Sequence, residues 1–225
     1  MSSADSLGRS TSNAESVWIF DLDETILSVN SFRYWVRFML GDKSPTHLRG
    51  FAAVIMAAKK LHLLSHGAAK NKLQYHWQDA FPDGNTTFNM TLSETIRPNM
   101  VELLKHVAAG LQPALLATAA AEIYAEPFGR TLGFKHIIAT KAGAALENRA
   151  ERKRDSACAF LEEKNWQGKK RIFFTDHAED LPLMQASAVT CWFGAAEKMP
   201  QGEGLKVIPC LELDAQALLE LVSAL

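Results

Sequence analysis

The sequence predicts an α/β protein with a doubly wound, mostly parallel β-sheet and an inserted, all-helical subdomain. Short apolar runs alternate with helical patterns from residue 96 onward, which is typical of right-handed β-α-β units that cover both faces of a sheet. Helical patterns without strands fill residues 31–95, after the first apolar run. With 225 residues, 48% of them hydrophobic, the chain is large enough to bury a full core.

The elements before residue 96 begin with a strand. Residues 17–21 (VWIFD) form a short apolar run that ends in an acid, as a buried strand does at a sheet edge. Helices are predicted over 31–40, closing on Gly41, then from Ser44 and Pro45 onward with the serine as cap, and over about 67–80. Residues 81–90 (FPDGNTTFNM) are rich in turn formers and predict a loop. Residues 1–16 predict a disordered tail that lacks the features of a secretory signal.

The elements after residue 96 alternate strictly. Predicted helices cover 98–109, 121–132, 151–164 and 181–187, and predicted strands cover 112–118, 136–140, 170–175 and 189–193. The α/β core therefore comprises residues 17–30 and 96–225. In doubly wound sheets, ligands bind beyond the carboxyl ends of the strands, where the strand order reverses. Three predicted strands end at or just before a reactive side chain, namely Asp21, Thr118 and Asp176, so we expect a site at that edge.

Composition excludes several classes of partner and location. Lys and Arg total 24 against 25 Asp and Glu, so the net charge of -1 provides no basic field for nucleic acid. No stretch without Asp, Glu, Lys or Arg exceeds 16 residues, which predicts no transmembrane helix. The three cysteines are an odd number without paired spacing, which argues against a disulfide framework or a zinc cluster. We therefore expect a cytoplasmic protein.

The sequence Phe-Asp-Leu-Asp-Glu-Thr-Ile-Leu at residues 20–27 holds the first chemical signal. Asp21 and Asp23 are two residues apart, and on extended chain such side chains point the same way. Two carboxylates this close favour a hard cation such as Mg²⁺, which would also hold a phosphate oxygen while one carboxylate attacks phosphorus. Taken alone, a pair of this kind would more often be two acids that cap the end of a strand.

This octapeptide resembles the first motif of the haloacid dehalogenase-like hydrolase superfamily, D-x-D-x-T after an apolar strand. Thr118 in Leu-Leu-Ala-Thr-Ala, and the run Thr-Asp-His-Ala-Glu-Asp-Leu-Pro-Leu at 175–183, resemble its second and fourth motifs in the same order. The helical block at residues 31–95 lies where class I caps are inserted and resembles the subgroup IB, which contains phosphoserine phosphatase. The resemblance covers roughly residues 17–195. It implies a Mg²⁺-dependent phosphatase that acts through an aspartyl-phosphate.

The resemblance also implies a role for each motif residue. Asp21 would be the nucleophile and a Mg²⁺ ligand, and Asp23 the general acid/base, with its backbone carbonyl on the metal. Asp176 would be the third protein ligand. Asp180 would ligate through water or lie just outside the ligand set, although a carboxylate at a helix N-terminus before a proline explains it equally well. Thr118 would hold the transferred phosphoryl group.

The family also requires a lysine beside the nucleophile, and we assign Lys153. It opens the helix that precedes the strand before Asp176, and Leu161 eight residues later matches the apolar pattern of the family. Three arginines crowd the same turn: Arg149, Arg152 and Arg154. The glycines that commonly precede this lysine in relatives are absent here.

The substrate is expected to be a small phosphorylated metabolite, because a cap encloses the site. Asn30 stands where phosphoserine phosphatases carry an acid for the substrate ammonium, which disfavours phosphoserine. The residues assigned to a substrate pocket are Asn30, Phe32, Trp35, Ala119 and His177, although aromatic residues at helical spacing also suit a core.

Alternative functions stay open at this point. A phosphotransferase would use the same intermediate but pass the phosphoryl group to an alcohol. A non-catalytic phospho-receiver is disfavoured, because it needs no general acid at Asp23. An apolar stripe on the second helix, from Phe51 to Leu61, with lysines nearby, suggests peripheral membrane contact as a secondary hypothesis, because some relatives with this cap dephosphorylate phosphatidylglycerol phosphate.

Overall fold

A computed structural model describes residues 15–81, 84–144 and 146–225 of the chain. Within these ranges a parallel sheet of six strands has the order β3-β2-β1-β4-β5-β6. The strands are β1 (Ser16–Phe20), β2 (Ala114–Ala121), β3 (Ile137–Thr140), β4 (Lys170–Thr175), β5 (Val189–Trp192) and β6 (Val207–Pro209). This order confirms the predicted doubly wound α/β fold.

Nine α-helices accompany the sheet within the same ranges. The helices of the α/β core are α5 (Val101–Ala108), α6 (Glu122–Thr131), α7 (Glu151–Glu163), α8 (Leu181–Gln185) and α9 (Ala215–Ser223). Four more form the helical insert: α1 (Ser31–Leu40), α2 (Thr46–Lys60), α3 (His66–Ala80) and α4 (Gly84–Ser93). Because β1 has β2 on one side and β4 on the other, the strand order reverses beside β1, and this places the ligand-binding edge of the sheet after Phe20.

Alternating side chains of β1 supply both hydrophobic cores. Val17 and Ile19 point to the face covered by α7 and α8, where Leu161 is fully buried. Trp18 and Phe20 point to the opposite face, which α5, α6 and α9 cover. Because a parallel strand covered on both faces is apolar on both, β1 appears in the sequence as a continuous apolar run rather than an alternating one.

The helical insert packs around a cluster of aromatic rings. Trp35 of α1 lies 5.1 Å, between ring centroids, from Tyr124 of α6 and 5.3 Å from Trp77 of α3. Phe88 of α4 lies 5.4 Å from Tyr124. The chain enters and leaves the insert through paired segments, with Leu27 opposite Ile96 in an antiparallel bridge. Tyr124 thus anchors the insert to the α/β core.

Two predictions for the insert are wrong. Residues 81–90 were predicted as a loop, but α4 covers most of them; residues 82 and 83 lie outside the described residues. Phe88 and Leu92, one helical turn apart, are fully buried, and this packing outweighs the local turn preference of the sequence. Ser44 does not cap α2: the hydroxyl donates to the Phe38 carbonyl at 2.9 Å, and α2 starts after Pro45.

Elements of the core also differ from the predictions. β2 runs three residues past Thr118, where Ala121 still pairs with Thr140 of β3, so Thr118 lies inside the strand rather than at its end. The short strand β6 and helix α9 were not predicted. Of the tail predicted at residues 1–16, residues 1–14 lie outside the described residues, while Ser16 already pairs with Lys170 in the sheet.

The apolar stripe on the second helix, which suggested membrane contact, is only partly exposed. Ile55 is buried and the ring centre of Phe51 lies 4.0 Å from that of His76, whereas Val54 and Leu61 are exposed. Among the described residues, no helix has the length and apolar character needed to cross a bilayer.

Candidate active site

A buried network of opposite charges lies at the carboxyl end of β1. The Lys153 ammonium donates to Asp21 Oδ1 at 3.0 Å and to Asp180 Oδ2 at 2.8 Å. All three side chains are buried. The Thr175 hydroxyl adds a bond of 2.6 Å to Asp180 Oδ2. Lys153 therefore lies beside Asp21, the predicted nucleophile, whereas the side-chain donors of Arg152 and Arg154 on the same helix bind Leu146 and Asp155.

Ala150 sets the position of Lys153. It precedes the first residue of α7 and adopts φ 50° and ψ −128°, a region that favours glycine. The glycines that precede the lysine in related proteins are absent, but an alanine here holds a backbone conformation that glycine would adopt without strain. Further along α7, Ala157 and Leu161 are fully buried against the sheet and fix the helix there.

Asp176 reaches the same edge of the sheet from β4. The Asp21 amide donates to the Phe174 carbonyl at 2.9 Å, which ties the end of β1 to the residues just before Asp176. Thr25, the threonine of the D-x-D-x-T pattern, donates its hydroxyl to Asp176 Oδ1 at 3.1 Å. Gly194 approaches the Asp176 carbonyl so closely that a Cβ there would lie 2.3 Å from the oxygen. Thr25 and Gly194 thus contact Asp176 directly.

Asp23 is placed by a tight turn, Leu22–Ile26, that follows Asp21. Glu24 adopts φ 52° within this turn, and the Leu27 amide closes it onto the Leu22 carbonyl at 3.0 Å. Asp23 Oδ1 accepts a hydrogen bond of 2.8 Å from the Ser31 amide at the start of α1. One carboxyl oxygen is therefore fixed by the insert.

Thr118 faces the cavity from β2. It is 1% exposed, and its hydroxyl accepts from the Ala120 amide at 3.1 Å. The next carbonyl, that of Ala119, accepts from the Thr140 hydroxyl at 2.8 Å and from the Lys70 ammonium at 3.1 Å. These bonds hold the strand segment against both β3 and the insert.

Burial and crowding of like charges raise the pKa values of the three metal-ligand candidates. Burial raises the pKa of Asp21; Lys153 opposes this and Asp180 adds to it. Burial first, and then Asp21, raises the pKa of Asp23 to about 6 and that of Asp176 to about 7. Burial alone would lower the pKa of Lys153, but Asp21 and Asp180 together raise it. Because these carboxylates crowd together, the site favours a bound cation.

The donor set fits Mg²⁺. Among the residues that the structure describes, no three His, Cys, Asp or Glu side chains group closely enough to form a metal site by themselves. The predicted ligands need only two carboxylates, Asp21 and Asp176, with a backbone carbonyl at Asp23 and waters, and Mg²⁺ commonly binds in this way. The candidate ligand atoms are all oxygens, which suits a hard cation.

The candidate metal ligands and Lys153 line a cavity of about 460 Å³ between the core and the insert. Asn30, Phe32, Ala119 and His177 line it as the sequence predicted. Trp35 does not reach it: the ring is fully buried between Trp77 and Tyr124, which is the core role that its helical spacing also allowed. Asn30 Oδ1 accepts from the Arg33 amide and so caps α1.

Sequence reasoning missed part of the cavity wall. Lys70 of α3 is buried and forms an ion pair with Glu147, which also lies 3.7 Å from Arg149. Lys59 of α2 and His66 of α3 complete this wall. Lys70 and Glu147 lie far apart in the sequence without any motif, so only the packing of the insert onto the core brings them together.

The fold and this site define a doubly wound α/β protein with aspartates at the carboxyl edge of its parallel sheet, beneath a helical insert. The sequence profile of the haloacid dehalogenase-like hydrolases matches residues 18–185, and the chain belongs to that family. A search of curated proteins finds no match.

Solved structures with the same fold include phosphoserine phosphatase-like proteins. A Bordetella pertussis Tohama I protein of unknown function is 20% identical, with a TM-score of 0.67 over 88% of this chain and 99% of that one. A probable phosphoserine phosphatase from Vibrio cholerae is 13% identical, with a TM-score of 0.60 over 94% and 68%. A substrate-bound phosphoserine phosphatase is 10% identical, with a TM-score of 0.59 over 93% and 99%. At these identities the likeness shows the shared fold.

Proposed function

We propose that the protein is a Mg²⁺-dependent phosphatase that hydrolyses a small phosphomonoester through an aspartyl-phosphate on Asp21. The observation that carries this proposal is the contact of the Lys153 ammonium with Asp21 at 3.0 Å, beneath a cavity that Thr118 and Asp176 also line. A bound Mg²⁺ would supply charge neutralisation between the carboxylates and the phosphoryl oxygens. Asp21, Asp176 and the Asp23 carbonyl would hold it.

In the first step, a carboxylate oxygen of Asp21 forms a bond to phosphorus while the bond from phosphorus to the leaving oxygen breaks. Asp23 donates a proton to that leaving oxygen. A pKa of about 6 suits this role, because both the protonated and the ionised forms of Asp23 are then populated near neutral pH. Lys153 and the hydroxyl of Thr118 offset and orient the negative charge of the transferred group.

In the second step, Asp23 takes a proton from water, and the water oxygen attacks phosphorus. The bond between phosphorus and Asp21 breaks, inorganic phosphate leaves and the carboxylate is restored. The insert limits the access of other water during transfer, which favours a small substrate in the cavity. A phosphotransferase would follow the same first step and differ only in the acceptor.

Turnover of p-nitrophenyl phosphate with Mg²⁺ tests this proposal. We expect Asp21→Asn to abolish turnover, EDTA to do so reversibly, and Asp23→Asn to slow phosphate release by about 10²- to 10⁴-fold. Asp155→Asn is the matched control, because Asp155 is an exposed acid on α7 away from the cavity. Normal turnover in Asp21→Asn would refute the mechanism.

The products separate the alternatives. Equal release of nitrophenol and inorganic phosphate, with added alcohol present, indicates hydrolysis, whereas a phosphorylated alcohol indicates transfer. A stable phosphoprotein without turnover in the unmodified chain would indicate a receiver.

A further inference from the structure

The walls of the active-site cavity are segregated by charge. The helical insert contributes only basic ionisable side chains to the described lining: Arg33, Lys59, His66 and Lys70. All the acids of that lining belong to the α/β core or to the turn after β1. The wall opposite Asp21 is therefore cationic, although the protein as a whole is close to neutral.

Two of these cations lack an acidic partner. Lys70 forms its ion pair with Glu147, and His66 lies 3.7 Å from the same carboxylate. Within the described part of the chain, neither Arg33 nor Lys59 has a carboxylate within 4.0 Å; the Lys59 ammonium lies 5.8 Å from the centre of the Phe32 ring. Lys59 is half-buried, so its charge is less screened than that of the exposed Arg33.

The transferred phosphoryl group does not account for these cations. Lys153, Thr118 and the metal-ligand residues surround its expected position on the core side of the cavity. The cavity, at about 460 Å³, also has room for a leaving group beside it. The insert side of the cavity also presents apolar side chains, those of Phe32, Val36 and Met56. A leaving group at this wall meets carbon surface and unneutralised positive charge.

We propose that the leaving group of the substrate carries a second anionic group, a carboxylate or a further phosphate, that binds Lys59 with support from Arg33. Its carbon skeleton would pack on Phe32 and Met56. This inference rests on the proposed phosphatase function and names the class of substrate. A substrate with only an ammonium in that place would meet like charge and bind poorly.

A panel of small phosphomonoesters with Mg²⁺ tests the inference. It compares glycerol 3-phosphate (neutral leaving group), 3-phosphoglycerate (carboxylate), 1,3-propanediol bisphosphate (second phosphate) and phosphoethanolamine (ammonium). We expect kcat/KM for at least one anionic compound to exceed that for glycerol 3-phosphate by roughly tenfold, as for one hydrogen bond to a charged group. Phosphoethanolamine should fall below glycerol 3-phosphate. The preferred anion identifies the second group as carboxylate or phosphate.

Variants of α2 assign the preference to one residue. Lys59→Gln should reduce the ratio of anionic to neutral kcat/KM by roughly tenfold, Lys59→Arg should keep it, and Lys59→Glu should favour phosphoethanolamine. Lys60→Gln, an exposed neighbour that does not line the cavity, is the matched control and should leave the ratio unchanged. The preference should also weaken with salt.

Equal kcat/KM for neutral and anionic compounds, or a ratio unaffected by Lys59→Gln, would overturn this inference while leaving the phosphatase function intact. Loss of turnover for every compound, p-nitrophenyl phosphate included, would instead refute the phosphatase function. In that case, calorimetry measures the binding of the same panel to Asp21→Asn. Tighter binding of the anionic compounds supports the inference of a second anionic group, and equal binding overturns it.

Discussion

Replacing Lys153 by methionine tests the buried charge network at its centre. The ammonium is 3% exposed and contacts both Asp21 and Asp180, so Lys153→Met leaves two buried carboxylates without their cation. Removing one partner of a buried ion pair costs about 3 to 5 kcal/mol. For a chain of 225 residues, this corresponds to a fall in Tm of about 10 °C.

The loss should depend on pH in a defined direction. Burial already raises the folded-state pKa of Asp21, and removal of Lys153 raises it further. A carboxyl with a raised folded-state pKa destabilises the fold increasingly as the pH rises from its unfolded value of about 3.9 through the folded value. Urea unfolding in EDTA should therefore show the largest loss at pH 8 and a smaller one near pH 5.

Two further variants make the test specific. Lys153→Met combined with Asp180→Asn removes one of the two uncompensated charges and should recover part of the lost free energy of unfolding. Arg154→Met is the control, because Arg154 lies on the same helix and, within the described part of the chain, its ion-pair partner is the exposed Asp155; the loss of stability should therefore be much smaller. If Lys153→Met cost no more than Arg154→Met, the network would not hold the charges as described.

Two more predictions concern the backbone and the metal. Ala150→Gly should raise the free energy of unfolding by about 1 kcal/mol in urea titrations, because it relieves the positive φ of 50°; a loss would show that this conformation carries no strain. The affinity for Mg²⁺ should fall roughly tenfold between pH 8 and pH 6, because Asp176, with a pKa of about 7, must ionise to bind it. Calorimetry should detect proton release on binding, and a pH-independent affinity would contradict this.

The sequence was most informative about the sheet and the motif residues. Buried parallel strands are continuous apolar runs, and the acid that ends β1 marks their carboxyl edge. Parallel strands bring their carboxyl ends together whatever the length of chain between them, so Asp21, Asp176 and Thr118 were predicted to share one edge, and they line one cavity. Lys153 was assigned from its place at the start of a helix, but the sequence offered no means of excluding the arginines around it.

The sequence was least informative where tertiary packing determines the local structure or the position of a side chain. Residues 81–90 have turn chemistry, yet α4 forms because Phe88 is buried against Tyr124. Lys59 and Lys70 look like the solvated face of ordinary helices, and their position over the cavity follows from how α2 and α3 dock. Glu147 lies in a loop without a motif, so its ion pair with Lys70 appears only in three dimensions.

The aromatic anchor between insert and core restricts how substrate reaches the cavity. Swinging the insert away as a whole would bring Trp35, Phe88 and Tyr124 into water, at about 2 to 3 kcal/mol for each ring. Such a state would be too rare to serve every turnover. Lys70 adds a second, buried contact between the insert and the core, through the Ala119 carbonyl and Glu147. We therefore expect small molecules to enter and leave the cavity while the insert stays packed on the core.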